Sequence, residues 1–372
     1  MDKIIYYDEY DKLDKNLTDV NVGARKNRNI RDNIFVLNAI MNNIKGIEKS
    51  LDFQVYDIEK CFDSLWLHEV INCLYDAGLQ NDKLPLLFME NKNARVAIKT
   101  NERILKRVSI KDLIMQGSIW GSLCCVALMD KLGKMVCNKP ELLYMYKGVV
   151  ETPPLQMVDD ILGIQKCSNK SLQLNTAINT FVKLKKLNLS SKKCNNIHIG
   201  SKNIECPPLT INGSKMKNSD QQTYLGDILD KIGNCRPNIE KRISKGYSIV
   251  TNILVIVNEV PLGHWKIQAG LSLRQSMLVN GILLNSEVWQ GTETTDIVSF
   301  EKVDEALLIG ILGAHPKIPL EALYLEIYHI KQKNLILSLF FFQWGREKCM
   351  GVIYGLKKPK MALISKVRSN PS

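Results

Sequence analysis

Three aspartates in this chain stand where a carboxylate either does chemistry or costs stability. Asp57 lies near the end of the β-prone run FQVYDI, and Asp159 and Asp160 are adjacent inside the apolar run LQMVDDILGI. An ionised carboxylate among apolar neighbours is costly unless something positive compensates it, and a divalent cation is the strongest compensator. Between the two acidic positions lies IMQGSIWGSL, in which Gln116, Gly117 and Ser118 precede Gly121 and Ser122. Small residues at a helix start let a ligand come close to the backbone. Each feature alone has a plainer reading: Asp-Asp as a solvated turn, Asp57 as an acidic strand end, the Gly/Ser cluster as an ordinary helix N-terminus. Together they form a much rarer pattern, that of a cation held beside a bound ligand.

The elements that must position these residues can be read from periodicity. Phe53 to Ile58 is a predicted strand, and HEVINCLYDAG follows as a helix with Val70, Ile71 and Leu74 on one face before Gly78. Ser122 to Cys137 reads as a second helix, and Leu155 to Ile164 as two short strands joined across Asp159 and Asp160. Leu172, Ile178, Phe181, Val182 and Leu187 mark a third helix, followed by the strand NNIHIG. Upstream, Ile34, Leu37, Ile40 and Ile44 predict a helix with Asp32 as its N-cap and Gly46 as its stop. The charged residues before it predict an irregular lead-in. Helices alternating with antiparallel strands imply an α+β fold with helices on one sheet face. Beyond CRPNIEKRI the pattern turns helical, and Leu335 to Trp344 reads as a buried helix.

In chain order, DIEKCFDSL, QGSIWGSL, MVDD, LNLSSKKC and TYLGDIL resemble the successive palm motifs of reverse transcriptases, especially those of the non-LTR (LINE-type) retrotransposon branch. GARKNRNIRDNIFVLNAI resembles the stretch this branch carries before its first palm motif. LRQSMLVNGILLNSEVW and LEALYLEIYHI resemble its helical region after the polymerase, so the likeness runs from Val22 to Gly345. It implies a right-hand polymerase palm, an antiparallel sheet backed by helices, with partial fingers and a helical thumb. The corresponding division is a lead-in over 1–28, partial fingers and palm over 29–234, and thumb with C-terminal region over 235–372.

The activity implied is RNA-directed DNA polymerisation by a mobile element, with an RNA template, a DNA primer and dNTPs as partners. By the same resemblance Asp57, Asp159, Asp160 and the backbone carbonyl of Ile58 hold two Mg²⁺ ions, with Mn²⁺ as the substitute. Two such ions about 3.5–4 Å apart activate a primer 3′-hydroxyl and neutralise the leaving pyrophosphate. Mg²⁺ suits an all-oxygen shell. Phe62 matches the bulky residue under the sugar, and Gln116, Gly117 and Ser118 the contacts to the incoming nucleotide and template base. Lys193 matches the lysine that assists the leaving group, with adjacent Lys192 as the alternative. Tyr224, Leu225 and Gly226 match the primer grip, while Asp63 supports the strand-to-helix turn. Lys241, Arg242 and Lys245 are candidates for phosphate contacts.

Bulk composition agrees with this class. The 372 residues are 45% hydrophobic and 24% charged, which is globular composition, and 50 Lys+Arg against 38 Asp+Glu leave a net charge of +12 suited to a polyanionic partner. The ten cysteines form no CxxC pair and no zinc-finger spacing, and are read as reduced, mostly buried small hydrophobes. MDKIIYYDEYDKLDKN lacks a signal-peptide core, so an intracellular location, cytoplasmic or nuclear, is expected, with no membrane partner. The chain departs from the family pattern in Met157-Val158 before the acidic pair and in Pro153-Pro154 before the hairpin. Basic fingers sequence, an endonuclease and a Cys/His finger are not found, and N-terminal truncation is expected. The competing reading is a catalytically silent nucleic-acid-binding remnant. An unrelated two-metal nuclease ranks last, because the five His residues form no cluster with the aspartates.

Overall fold

The computed structural model describes residues 2–327, apart from 45–49, 80–81, 93–94, 98, 101–103, 105–107, 110–113, 115–117, 167, 200–206, 233–235, 261–263, 287–288, 290–293, 320–321 and 326. They fall into two compact units, the first Met1–Gly233 and the second beginning at Asn234. The first contains helices α1 (Asp2–Asn16) and α2 (Ile30–Ile44), strand β1 (Leu51–Tyr56), and helices α3 (Leu67–Asp76) and α4 (Gly121–Cys137). The hairpin β2 (Leu155–Met157) and β3 (Asp160–Lys166) follows, then α5 (Asn169–Leu184) and β4 (Asn195–Ile199). The unit closes with β5 (Lys217–Asn218), β6 (Gln221–Tyr224) and β7 (Asp227–Asp230).

Five strands form the main sheet in the order β5-β4-β1-β3-β2. The pairs β4–β1, β1–β3 and β3–β2 are antiparallel, and the edge pair β4–β5 is parallel. The result is the α+β sheet-and-helix layer that the element order implies. Every residue of β1 is buried, as befits the centre of the sheet. Side chains alternate along a strand, and Asp52, Gln54 and Tyr56 face α5. There Ser171 Oγ donates to Asp52 Oδ2 at 2.6 Å, Gln54 Nε2 donates to Ser171 Oγ at 2.7 Å and Asn175 Nδ2 donates to Tyr56 Oη at 3.0 Å. Burying these polar groups is tolerable because each finds a partner. Around them Leu67, Val70 and Leu74 of α3, Leu123, Leu128 and Leu132 of α4, and Ile178, Phe181 and Val182 of α5 pack into one core.

Asp2–Asn16, within the expected irregular lead-in, is helical, while 17–28 follows as turns. Tyr6, Tyr10, Leu13 and Leu17 recur at steps of four, three and four, an apolar stripe hidden among dense charge. Leu13 and Leu17 join the core, and the Tyr6 ring meets Trp120 edge-on at 5.3 Å. Packed structure therefore begins well before Arg31. At α2 the cap is Asn29, one turn earlier than expected: Asn29 Oδ1 accepts from Arg31 N–H at 2.8 Å, and Asp32 Oδ2 accepts from Asn29 N–H at 3.1 Å. The Asn29 side chain thus caps the first turn, and Asp32 reaches back to the Asn29 N–H. Gly46, expected to stop the helix, and Leu335–Trp344, expected as a buried helix, lie outside the described residues.

The second unit is helical where described. Helices α6 (Arg236–Asn258), α7 (His264–Leu273) and α8 (Thr294–Leu312) bury Ile239, Val250, Ile253, Val303, Leu307 and Ile311 among other apolar side chains. Arg274 makes a buried two-point pair with Asp304, each contact 2.6 Å, and Tyr324 Oη donates to Asp304 Oδ2 at 2.8 Å. Arg242 is buried and donates to the Gly281 carbonyl at 3.1 Å, so it is a packing residue here and not the surface phosphate contact its charge suggested. Lys241 and Lys245 are exposed. Among the described residues, no helix is long and apolar enough to cross a membrane.

Candidate active site

Asp57 follows directly on β1. The last pair of the β1–β3 ladder is Tyr56 with Ile161, so the next residues along each strand, Asp57 and Asp160, stand side by side. Asp160 is the first residue of β3, which leaves Val158 and Asp159 as the two-residue turn between paired Met157 and Asp160. The tight turn thus brings the two hairpin aspartates to the end of β1 that carries Asp57.

A second segment fixes Asp57 from its other flank. Ser190 N–H donates to the Asp57 carbonyl at 2.9 Å, Glu59 N–H donates to the Asn188 carbonyl at 2.8 Å, and Ile58 forms an antiparallel bridge with Leu189. The Asp57 N–H donates to the buried Cys194 Sγ at 3.2 Å. This segment delivers Lys193, whose Nζ donates to Asp57 Oδ1 at 3.1 Å. The Asp57 carboxylate raises the Lys193 pKa, by hydrogen bond first and by charge second.

Burial and mutual repulsion act on the hairpin pair. Asp159 is raised above the ordinary carboxylate range, first by desolvation and then by the Asp57 charge. Asp160 is pushed up to about 6 by burial, then by the charges of Asp159 and Asp57, although its side chain reaches solvent at the cleft edge. Carboxylates that repel one another in this way favour a cation. Asp57 Oδ2 is a buried oxygen with no hydrogen-bond donor among the described residues, an acceptor position that a cation could take. The donor set is all oxygen and matches Mg²⁺ or Mn²⁺ in chemistry. Among the described residues no three His, Cys, Asp or Glu side chains already converge as a finished metal cage.

Asp57, Asp160, Lys192, Lys193, Asn195 and the stretch Gln222 to Leu225 line a cleft of about 290 Å³. The β6–β7 hairpin turns at Leu225 and Gly226, with φ of 49° and 87°. Two successive positive φ values are the signature of a tight hairpin turn; Gly226 adopts one freely, while Leu225 bears strain of about 1–2 kcal/mol. The Tyr224 ring is buried, and its hydroxyl donates to the Leu155 carbonyl at 3.2 Å, so it anchors this hairpin to β2. Asn33 of α2 completes the junction, donating to the Gln156 carbonyl at 2.9 Å. The turn itself, Leu225 and Gly226, is thereby left at the hairpin tip.

Phe62 is half-buried and packs against the core. Ser118 sits at the start of α4, where its Oγ accepts from Trp120 N–H at 3.2 Å. Gln116 and Gly117 lie outside the described residues. Sequence reasoning passed over Asn33, Cys194, Asn195 and Gln222. Asn195 Nδ2 donates to Gln222 Oε1 at 3.0 Å and to the Lys193 carbonyl at 2.9 Å, tying the lysine turn to β6. Neutral amides in short strands carry no periodic signal, and only the pairing of distant segments exposes their role.

An antiparallel sheet backed by helices, with carboxylates on adjacent strands beside a lysine, defines a polymerase-like palm. Residues 4–229, more than half the chain, match the family described as reverse transcriptase (RNA-dependent DNA polymerase), and the chain belongs to that family. No curated protein sequence matches it. Among solved structures it is similar to apo telomerase from Candida tropicalis, at 15% identity and a TM-score of 0.44 over 92% of this chain and 61% of that one. It is also similar to Candida albicans telomerase in complex with a TWJ fragment of telomeric RNA, at 11% identity and a TM-score of 0.35 over 93% of this chain and 56% of that one. The chain thus spans less than two thirds of either relative.

Proposed function

We propose that this chain is the palm and thumb part of a non-LTR retrotransposon reverse transcriptase, which adds deoxynucleotides to a DNA primer on an RNA template. The observation that carries this reading is the single cleft shared by Asp57, Asp160, Lys193 and the Leu225 turn. The ordered palm motifs support the retrotransposon branch. Asp57, Asp159, Asp160 and the Ile58 carbonyl would hold two Mg²⁺ ions, or Mn²⁺ in their place. When bound, such ions activate the 3′-hydroxyl and neutralise the developing pyrophosphate charge.

The remaining roles belong to the chain's own groups. The Lys193 ammonium, exposed beside Asp57, would give a proton to the leaving pyrophosphate. Phe62 lies in the short helix Cys61–Ser64 that follows Asp57, where it would lie under the sugar of the incoming nucleotide and exclude a ribose 2′-hydroxyl. Gln116, Gly117 and Ser118 would contact that nucleotide and the template base. Leu225 and Gly226 would press a rigid turn against the primer backbone.

Primer extension with a primed RNA template, dNTPs and Mg²⁺ tests the proposal. Asp159→Asn is expected to lower the extension rate on the order of 10²–10³-fold or more, with template–primer affinity kept. Tight, salt-sensitive binding without any Asp159-dependent product would instead establish the silent nucleic-acid-binding reading.

A further inference from the structure

The turn that carries Asp159 holds a conformation its own residue does not favour. Val158 has φ of 57°, in the left-handed region that crowds a β-branched side chain. Such a conformation persists only where the surroundings impose it. Here one side chain brackets it: Val158 N–H donates to Asn21 Oδ1 at 2.9 Å, and the Val158 carbonyl accepts from Asn21 Nδ2 at 2.8 Å. Asn21 is 1% exposed, and its Oδ1 also accepts from Gly23 N–H at 2.9 Å. The adjoining backbone runs along β2, with Val22 N–H donating to the Gln156 carbonyl at 3.1 Å. Gly23 packs so closely that a Cβ there would stand 2.5 Å from both the nitrogen and Cγ2 of Val158.

The chemistry of the amide matters. A neutral carboxamide offers a donor and an acceptor in one plane and satisfies both polar groups of the strained residue. An aspartate would keep the acceptor, lose the donor facing the Val158 carbonyl and set another negative charge beside carboxylates that already repel one another. An alanine would leave a buried N–H and C=O unpaired.

We propose that Asn21, seated by Gly23, is a positioning residue that holds the Val158–Asp159 turn in its strained form and so sets Asp159 and Asp160 against Asp57. The catalytic consequence rests on the polymerase reading above, whereas the clamp itself does not. Two measurements on the full chain test it. In amide hydrogen exchange, Val158 is expected to be protected in the wild type and to exchange about 10-fold or more faster in Asn21→Ala, which removes the acceptor of its N–H, while the β1–β3 ladder keeps its protection. In steady-state extension, Asn21→Asp, which preserves side-chain size, is expected to lower kcat roughly 10- to 100-fold, because small misplacements of reacting groups cost about this much. The KM for primer–template should stay unchanged, and retained protection of the β1–β3 ladder in the same variant separates a lowered kcat from a general loss of folded protein.

Unaltered Val158 exchange in Asn21→Ala overturns the proposal. So does an Asn21→Asp chain that extends primers at the wild-type kcat. A wild-type chain that never extends a primer, yet shows Asn21-dependent protection of Val158, overturns the polymerase reading and sustains the clamp.

Discussion

Lys192 and Lys193 are neighbours in the sequence and both line the cleft, so residue type alone does not separate them. Geometry does, by placing Lys193 Nζ 3.1 Å from Asp57 Oδ1. Lys193 is 69% exposed, and an ion pair so open to solvent adds little to stability, so on the function proposed above its value is chemical. Lys193→Ala is therefore expected to slow single-turnover extension by about 10²-fold or more with the melting temperature unmoved, as befits loss of a general acid. Lys192→Ala should fall within about threefold of wild type, the scale of an ordinary surface change. Equal losses for the two lysines would refute the assignment. At this scale the charged candidates could be singled out from the sequence, since Asp57, Asp159, Asp160 and the Lys192–Lys193 pair stand out against apolar or motif-bearing surroundings. Asn21, Asn33 and Cys194 could not, because their work is done by hydrogen bonds to backbone more than a hundred residues away.

Among the elements, α1 is where reading and structure part most clearly. Its acidic and basic residues suggested an irregular lead-in, yet the helix docks through Leu13 and Leu17 and buries a charge. Glu9 has no exposed surface and accepts from Lys12 and from Lys83. Burial alone would raise its carboxyl, but the hydrogen bonds from Lys83 and Lys12 outweigh burial and hold it below the ordinary value. A carboxyl whose pKa is lower in the folded state stabilises the fold above its unfolded pKa of about 4.3 and loses that contribution as pH falls through the folded value. Glu9→Gln is expected to destabilise the chain most at neutral pH, with the gap to wild type narrowing below about pH 4. Urea unfolding of both proteins at several pH values measures this, and a gap independent of pH would rule out a charged Glu9. Elements with strong periodicity were read nearly to the residue: the predicted helix over 122–137 is observed as Gly121–Cys137. The strand expected from Phe53 is observed as Leu51–Tyr56, because pairing with β3 and β4 extends it backwards through Asp52.

For the whole molecule the net charge of +12 is the dominant long-range property. Some of the basic side chains are already committed, as Arg25 is to Asp14 and Arg274 to Asp304. Others, such as Lys193, Lys241 and Lys245, lie exposed at the surface. Binding of an RNA–DNA template–primer is expected to weaken roughly 10- to 100-fold between 50 and 200 mM salt, the consequence of releasing counterions from a few neutralised phosphates. Fluorescence anisotropy across a salt series gives the slope, and a flat line would show that charge does not drive association. The division into two compact units near residue 234 places the cleft lining within the first.

By itself, the sequence determined the class of chemistry and the order of the elements. Carboxylates held among apolar residues, a lysine and a glycine-bearing turn keep their identity and spacing however the chain folds, and hydrophobic periodicity is a local property. The tertiary structure alone decided which carboxylates meet, which lysine joins them, and that the first helix belongs to the core. It also decided that a buried amide at Asn21 spans 137 residues of chain to grip the turn at Val158. Hydrogen-bond partners and sheet register depend on non-local pairing, so they come into being only when distant strands come together.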